Sequence, residues 1–292
     1  MLATQHLRAG IAVGLACTAA GLALDAAALA RVGDVLLVPA IAAVAALAPD
    51  WDQRGSTFTR AIPVAGPLGH WIIKWAHRGV YAGTRRWSDP PSRAPRRRVG
   101  RFGNRRALRL PGSGWRSAHR GITHSLVTAV AVGAAVTAAC AWGPWWVTVG
   151  FLVGVLLIGD DWVTAGPLAA VYAVTGLLDL WTGDAVTTVT ALRDHTVTLA
   201  PLWGAAVTAG WASHILTDAC TTAGVPLWAP FSWRPRTSPL AFDTGGVAEL
   251  WVARPLLVVA GLYFGYVTAT HWFAPSVAIV VVGAVALYRW QK

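Results

Sequence analysis

Charged residues are scarce in this sequence. Only 13% of its 292 residues are Asp, Glu, Lys or Arg, against about 25% in an ordinary soluble domain. Acidic residues are the scarcer sign, with 13 against 24 basic ones, and hydrophobic residues make up 55% of the chain. With a mean hydropathy of +0.51, this composition argues against a soluble globular domain and predicts a membrane protein.

Cysteine is also rare. The three cysteines, Cys17, Cys140 and Cys220, lie in or beside apolar runs and have no paired spacing. A disulfide framework or a Cys-based metal site needs closely spaced pairs. We therefore expect all three to behave as small hydrophobic residues.

Long apolar runs bounded by polar, Gly or Pro residues recur along the chain. They cover residues 9–30, 34–48, 122–141, 145–159, 163–181, 198–219, 252–270 and 272–289. Several reach the ~17–20 residues that a helix needs to cross a bilayer, and their continuous hydrophobicity favours helices over barrel strands. Residues 64–82 include Lys74 and two histidines and are too polar to span, so we expect an interfacial or re-entrant helix there.

The predicted fold class is therefore all-α: a polytopic helical bundle forming one membrane-embedded domain over residues 1–292, with roughly 6–8 transmembrane helices. The first run follows His6 and Arg8 and ends in Ala-Ala-Leu-Ala, which resembles a signal-peptide cleavage site. It is longer than a usual signal core, so we expect a retained first helix.

Half of the basic residues are concentrated in one segment. Between Arg85 and Arg120 lie 12 of the 24 Lys and Arg residues, among several Pro and Gly residues. This predicts a flexible loop over residues 83–118, which the positive-inside rule places in the cytoplasm. Such a loop attracts anionic lipid headgroups. Nucleic-acid binding is not expected, because no reading helix or stacking module accompanies the basic run.

Threading the helices from this loop places four polar segments on the cytoplasmic side of the membrane. They are His6, Pro49 to Asp52, His119 to Ser125, and Ser213 to Asp218. Ionisable groups at membrane depth are costly and need a partner or a function.

The spacing within these segments suits a cation. His214 and Asp218 are four residues apart and share one helix face, while Asp50 and Asp52 would repel each other unless a cation lay between them. Mixed His and carboxylate ligands suit Zn, Mn or Fe, with Mg kept as an alternative. We expect the four segments to converge around a divalent metal ion.

The segment His-Arg-Gly-Ile-Thr-His-Ser carries further polar chemistry. If the next helix starts near Thr123, that residue or Ser125 can cap its N-terminus, which favours an anion such as phosphate. Arg120 can then hold a phosphate or carboxylate in a forked contact. Downstream, Arg234 and Glu249 are expected on the same face, covering the site or binding a headgroup. An interfacial loop with snorkelling arginines is the alternative.

Four segments in chain order resemble the motifs of the YdjM-type membrane-bound metal-dependent hydrolase family. They are TQHLRAG, LAPDWDQRGS, HRGITHSL and GWASHILTDACTTAGVPLWAPF, and the resemblance spans most of residues 4–250. It implies an integral membrane protein with metal-dependent hydrolase activity. The site residues it implies are His6, Asp50, Asp52, His119, His124, His214 and Asp218.

The resulting assignment has three groups of residues. We expect His6, Asp50, Asp52, His124, His214 and Asp218 to bind the metal, His119, Arg120, Thr123 and Ser125 to serve catalysis, and Arg234 and Glu249 to bind substrate. A second His-Arg-Gly, at residues 77–79, lacks the Thr-His-Ser continuation and indicates either coincidence or an accessory contact.

The predicted function is hydrolysis by metal-activated water at the membrane–cytoplasm boundary, with a lipid or phosphoester as substrate. Two alternatives remain open at this point. One is a metal-independent enzyme of the lipid-phosphatase type, although its Pro-Ser-Gly-His segment is missing. The other is a transporter or membrane scaffold, although no inverted repeat of broken helices is visible.

Overall fold

The computed structural model is built mainly from α-helices over the residues that it describes. The helices are α1 (Ala3–Leu24), α2 (Val32–Ala45), α3 (Ala65–Ser88), α4 (Leu126–Trp142), α5 (Ala185–Ala219) and α6 (Arg254–His271). Two 3₁₀ turns, Ala48–Asp52 and Ile122–His124, precede α3 and α4.

The structure describes residues 3–24, 32–53, 55–56, 59–60, 65–88, 120–144, 147, 150–153, 155, 185–239, 241–242, 246 and 254–271. Within these ranges the chain is mostly helical and has no β-strand. The all-α prediction is therefore confirmed for the described residues.

One described helix is long and apolar enough to cross a membrane, over Gln5–Ala23 in α1. Shorter apolar helices cover Leu126–Trp142 and Pro255–Thr268. The predicted runs 163–181 and 272–289 lie outside the described residues, and only a few positions of 145–159 are described.

Two predicted boundaries are wrong. The run 198–219 is only the C-terminal part of α5, which begins at Ala185 because its polar first half contains no residue that ends a helix. Residues 83–88, assigned to the flexible loop, form the last part of α3. The first helix-breaking prolines, Pro90 and Pro91, come only after them. The rest of that loop, 89–118, lies outside the described residues.

Small residues let α1, α2 and α5 pack with their backbones in contact. A Cβ added to Gly210 of α5 would overlap the carbonyl oxygen of Ala42, and one added to Gly14 of α1 would lie against the backbone of Pro39. Close approach through small residues is typical of helices that associate in lipid. The result is a fixed register between α2 and α5, one turn before His214.

The contact between α4 and α5 follows the same rule. Gly133 of α4 faces Gly204 of α5, and a Cβ on either residue would lie 2.5 Å from the other's carbonyl oxygen. Cys140 is buried in the adjoining core, and Cys17 of α1 packs against that core. This agrees with their prediction as small hydrophobic residues.

α3 lies against both 3₁₀ turns. The indole N–H of Trp51 donates to the carbonyl of Gly66 (2.8 Å), and His70 Nδ1 lies 3.1 Å from the carbonyl of Trp51. Farther along α3, His77 Nδ1 accepts a hydrogen bond from the N–H of Ile122 (3.2 Å). One face of α3 therefore supports the two turns that carry the acidic pair and His124.

The loop after α5 closes over the start of α4. The N–H of Leu126 donates to the carbonyl of Leu227 (3.0 Å), and the Ser125 hydroxyl donates to the carbonyl of Ala229. The same hydroxyl accepts from the N–H of Val127 (3.1 Å) and so caps α4. These bonds fix the chain immediately after His124.

Candidate metal centre

Five polar side chains from distant parts of the chain meet in the interior. They are His6 from α1, Asp50 and His124 from the two 3₁₀ turns, and His214 and Asp218 from α5. The three imidazoles and Asp218 are at most 1% exposed, whereas the Asp50 side chain is 17% exposed. Buried groups of this polarity need partners, and here they supply one another.

Four of their atoms have the mutual spacing of metal ligands. His214 Nε2 lies 3.2 Å from His124 Nε2, 3.5 Å from Asp50 Oδ1 and 3.8 Å from Asp218 Oδ2. His124 Nε2 lies 3.7 Å from each of the same two carboxylate oxygens. Zinc–ligand bonds of 2.0–2.1 Å place tetrahedral ligand atoms roughly 3.3–3.4 Å apart. The four atoms are therefore close to the vertices of a coordination shell.

Two candidate ligand groups overlap in this cluster. One comprises His6, Asp50 and His214, and the other comprises His124, His214 and Asp218. His6 stacks on His214 with ring centroids 3.6 Å apart, and its Nε2 lies 3.6 Å from Asp218 Oδ1. His214 is thus common to both groups and lies at the centre of the cluster.

The protonation of His214 follows from its second ring nitrogen. Nδ1 lies 2.7 Å from the carbonyl oxygen of Ala46, which can only accept a hydrogen bond. In the neutral imidazole, Nδ1 therefore carries the proton and Nε2 presents a lone pair to the cluster. A carbonyl partner on the far nitrogen is the usual companion of a metal-binding histidine.

Hydroxyl groups impose the same tautomer on the other two histidines. Thr123 Oγ1 donates to Asp52 Oδ2 (2.7 Å), so it accepts from His124 Nδ1 at 3.1 Å. Thr217 Oγ1 donates to the carbonyl of His214 (2.8 Å), so it accepts from His6 Nδ1 at 3.0 Å. In their neutral forms, all three histidines thus carry the proton on Nδ1 and turn Nε2 towards the cluster as the free ligand nitrogen.

Asp52 lies on the far side of His124 from the other ligand atoms. Its Oδ2 is 3.6 Å from His124 Nδ1 and accepts from the Thr123 hydroxyl and the Gly121 N–H. These are the contacts of a group that orients His124. The structure thereby gives the two acidic residues of Asp-Trp-Asp different positions, Asp50 inside the cluster and Asp52 behind it.

Negative charge predominates around His124, which precedes α4. Burial by itself lowers the pKa of His124, but the carboxylates of Asp52, Asp50 and Asp218 outweigh burial and raise the pKa to about 9. A positively charged group is therefore favoured at this position. A divalent cation would be attracted by the same three carboxylates.

Arg120 is bound to the cluster through Asp218. Its Nε lies 2.9 Å from Asp218 Oδ2, and its NH1 group donates to Thr221 Oγ1 (2.9 Å). Its backbone has a φ of 73°, which costs a non-glycine residue roughly 1–2 kcal/mol. This backbone conformation, with the guanidinium on the carboxylate, fixes the direction of the Asp218 oxygens.

The remaining predicted site residues have separate positions. Thr123 is buried and orients His124, while Ser125 caps α4. Arg234 is exposed on the loop after α5 and takes part in none of the contacts above. His119 and Glu249 lie outside the described residues.

Several supporting residues escaped sequence reasoning. Trp211 donates its indole N–H to the carbonyl of Thr123 (2.7 Å), and His77 holds the N–H of Ile122. The second His-Arg-Gly therefore supplies an accessory contact, one of the two readings left open. Thr217 follows His214 by three residues, a spacing that could have identified it.

The donor set fits a divalent transition metal. Three imidazole nitrogens with two carboxylates suit Zn, Mn or Fe, whereas Mg²⁺ prefers a shell of oxygen atoms. Because each histidine uses Nδ1 in a hydrogen bond, its neutral tautomer leaves the Nε2 lone pair for such an ion.

Comparison with curated proteins and with solved structures gives no match. A family model does match, over the whole chain: that of the YdjM inner membrane protein, at residues 1–292. Together with the apolar helices, this match shows that the chain belongs to the YdjM inner membrane protein family.

Proposed function

We propose that this inner membrane protein is a metal-dependent hydrolase whose divalent cation is held by His6, Asp50, His124, His214 and Asp218. One observation carries the proposal: each of the three histidines uses Nδ1 on a fixed acceptor, and each turns Nε2 towards the carboxylate of Asp218. A set of buried histidines with only structural roles has no need for this common orientation.

A bound divalent cation would lower the pKa of water and make hydroxide available near neutral pH. The protein's own groups divide the remaining work. Asp50 is the more exposed of the two carboxylates in the five-residue set, and we assign the Asp50 oxygen that does not bind the cation the role of taking a proton from water. Arg120 holds Asp218 in place, and Thr123 with Asp52 holds His124 in place.

We further propose a polytopic arrangement of 6–8 transmembrane helices with the cluster open to the cytoplasm. The arginine-rich segment ends at Arg120, beside the cluster, and such a segment belongs on the cytoplasmic side. A cluster at this boundary is within reach of a lipid or lipid-linked phosphoester, which we propose as the substrate class.

Metal content tests the site directly. The protein and its His124→Ala and His214→Ala variants are purified in detergent, and bound Zn, Mn and Fe are measured by mass spectrometry. His195→Ala is the matched control, because His195 lies on the same helix as His214 and outside the cluster. We expect both cluster variants to lose the metal and the control to keep it. Undiminished metal in both cluster variants would reject this site.

Activity tests the reaction separately. The purified protein is screened against phosphoesters, lipids and amides, with and without a chelator. Hydrolysis that stops with chelator and returns with added metal supports the proposal. Hydrolysis that survives chelation would favour the metal-independent enzyme. Ion uptake into proteoliposomes without hydrolysis would favour a transporter.

A further inference from the structure

α3 carries an apolar stripe that the metal cluster does not use. Its members are Leu68, Trp71, Ile72 and Trp75, each more than half exposed, at 55%, 58%, 52% and 58%. Their spacing of three, four and seven residues places them in one row along the helix. We call this row the α3 stripe.

The opposite face of α3 is the one that contacts the protein. His70 binds the Trp51 carbonyl, His77 binds the Ile122 N–H, and Thr84 accepts from the Trp233 indole (2.9 Å). These three residues lie about half a turn from the stripe, given 3.6 residues per turn. The stripe therefore points away from the described body of the protein.

Basic residues lie beside the stripe. Arg78 is exposed and Lys74 is partly exposed, and both lie on the same flank of the row. Their long side chains can extend from an apolar surface to anionic headgroups. A helix with Trp and Leu on one face and Lys and Arg beside it has the pattern of a helix that lies in a membrane interface.

We propose that α3 lies in the plane of the membrane, with the α3 stripe among the lipid chains and with Lys74 and Arg78 on anionic headgroups. A membrane-spanning orientation is disfavoured, because it would bring Lys74, Arg78 and two histidines to the hydrocarbon core. The partner is thus the inner membrane's own anionic leaflet, and this holds whether or not the cluster hydrolyses a substrate.

The arrangement fixes the depth of the metal cluster. α3 contacts both 3₁₀ turns through the face opposite the stripe, and a helix with its side chains is about 10 Å thick. The cluster therefore lies about one helix diameter from the lipid chains, at the level of the headgroups.

Depth-dependent quenching tests this proposal on the full chain in nanodiscs that contain phosphatidylglycerol. An environment-sensitive probe is attached at Trp71→Cys, at Trp75→Cys or at Ala76→Cys, with the three native cysteines replaced by alanine. Ala76 is an exposed residue of the same helix, about a quarter turn from the stripe. We expect a spin label near the headgroup end of the lipid chain to quench the two stripe probes at least about twofold more than the Ala76 probe.

Three results would overturn the proposal. The stripe probes could be quenched no more than the Ala76 probe, which would leave the stripe in water. They could be quenched best by a label at the bilayer centre, which would make α3 a spanning helix. Protection from both lipid labels that grows with protein concentration would place a second copy on the stripe.

A second measurement avoids the cysteine background. Brominated lipid quenches intrinsic tryptophan fluorescence, and the difference between the native chain and a Trp71→Phe/Trp75→Phe variant isolates these two indoles. We expect shallow bromine to quench this difference signal, and an unquenched signal would contradict the proposal independently of the probes.

Discussion

The candidate metal centre joins two kinds of support. His6, His214 and Asp218 lie on long helices, and we call them the helix ligands. Asp50 and His124 lie on five- and three-residue 3₁₀ turns, and we call them the turn ligands. The helix ligands are positioned by regular backbone bonds and close helix packing. The turn ligands depend on side chains from other segments of the chain. The helix ligands are therefore positioned by their own helices, whereas the turn ligands are positioned by their neighbours.

The largest effect is expected within the turn that carries both acids. Asp50→Asn replaces a charged ligand carboxylate by a neutral amide, and we expect metal affinity to fall by more than about 100-fold, beyond the 10–100-fold range that orienting residues show. Asp52→Asn removes the negative charge beside His124 Nδ1 and weakens the acceptor of the Thr123 hydroxyl and the Gly121 N–H, and the loss should remain inside that range. Competition with a metal chelator of known affinity measures both variants. Equal losses would mean that Asp52 is itself a ligand.

The helix ligands should be most sensitive to packing. Gly210→Ala puts a methyl group into the Ala42 carbonyl and pushes α5 from α2, which strains the His214–Ala46 hydrogen bond. Overpacking of this kind costs about 1–3 kcal/mol. We expect a lower unfolding temperature and weaker metal binding.

The matched control for that change is Gly79→Ala on α3, where an added Cβ meets nothing within 4 Å. Both variants are compared by thermal unfolding in detergent. If Gly210→Ala unfolds at the same temperature as Gly79→Ala, the close contact between α2 and α5 does not exist.

A smaller effect is expected from the hydroxyls that orient the histidines. Thr123→Val keeps the side-chain shape but removes the acceptor of His124 Nδ1, and Thr217→Val does the same for His6. We expect roughly tenfold weaker metal binding in each, at the low end of effects on orienting groups. Thr128→Val on α4, whose hydroxyl bonds the Ile122 carbonyl, is the comparison variant. If Thr123→Val binds the metal with native affinity, the Thr123 hydroxyl is not what fixes the tautomer of His124.

The smallest effect is expected at the hydrogen bond between His77 of α3 and the N–H of Ile122. His77→Phe removes the acceptor of the Ile122 N–H while keeping an aromatic ring against Trp233. One neutral hydrogen bond contributes about 0.5–1.5 kcal/mol, so we expect metal affinity to fall by a few-fold. Calorimetric titration of the metal-free protein measures it. A loss as large as that of Asp50→Asn would show that α3 controls the geometry of the turn ligands.

The helix ligands were also the easier half to predict from sequence. His214 and Asp218 are four residues apart, and helical periodicity alone places them on one face. The different roles of Asp50 and Asp52 could not be read from their spacing, because a 3₁₀ turn and the hydroxyl of Thr123 decide which carboxylate enters the cluster. Arg120 was expected to hold a phosphate or a carboxylate, and its contact with the Asp218 carboxylate depends on a backbone conformation that periodicity does not encode.

The ends of α3 and α5 were also hard to predict from the sequence. Hydropathy identified the apolar helices, but the start of α5 and the end of α3 lie in polar sequence, where hydropathy has no signal. Lys74 and the two histidines within 64–82 predicted a helix there that does not span the membrane. The face of α3 that contacts the two turns could be identified only from its partners in the structure, Trp51 and Ile122.

The bond between His6 and Thr217 joins residues 211 positions apart. During synthesis α1 is made long before α5 has been translated, and the His6 imidazole then lacks its partner Thr217. A buried polar group without a partner is costly, so the site stays incomplete until Thr217 has been made. The cluster can thus assemble only after α5 has been made, and a chain truncated before α5 would leave His6 without the hydroxyl of Thr217.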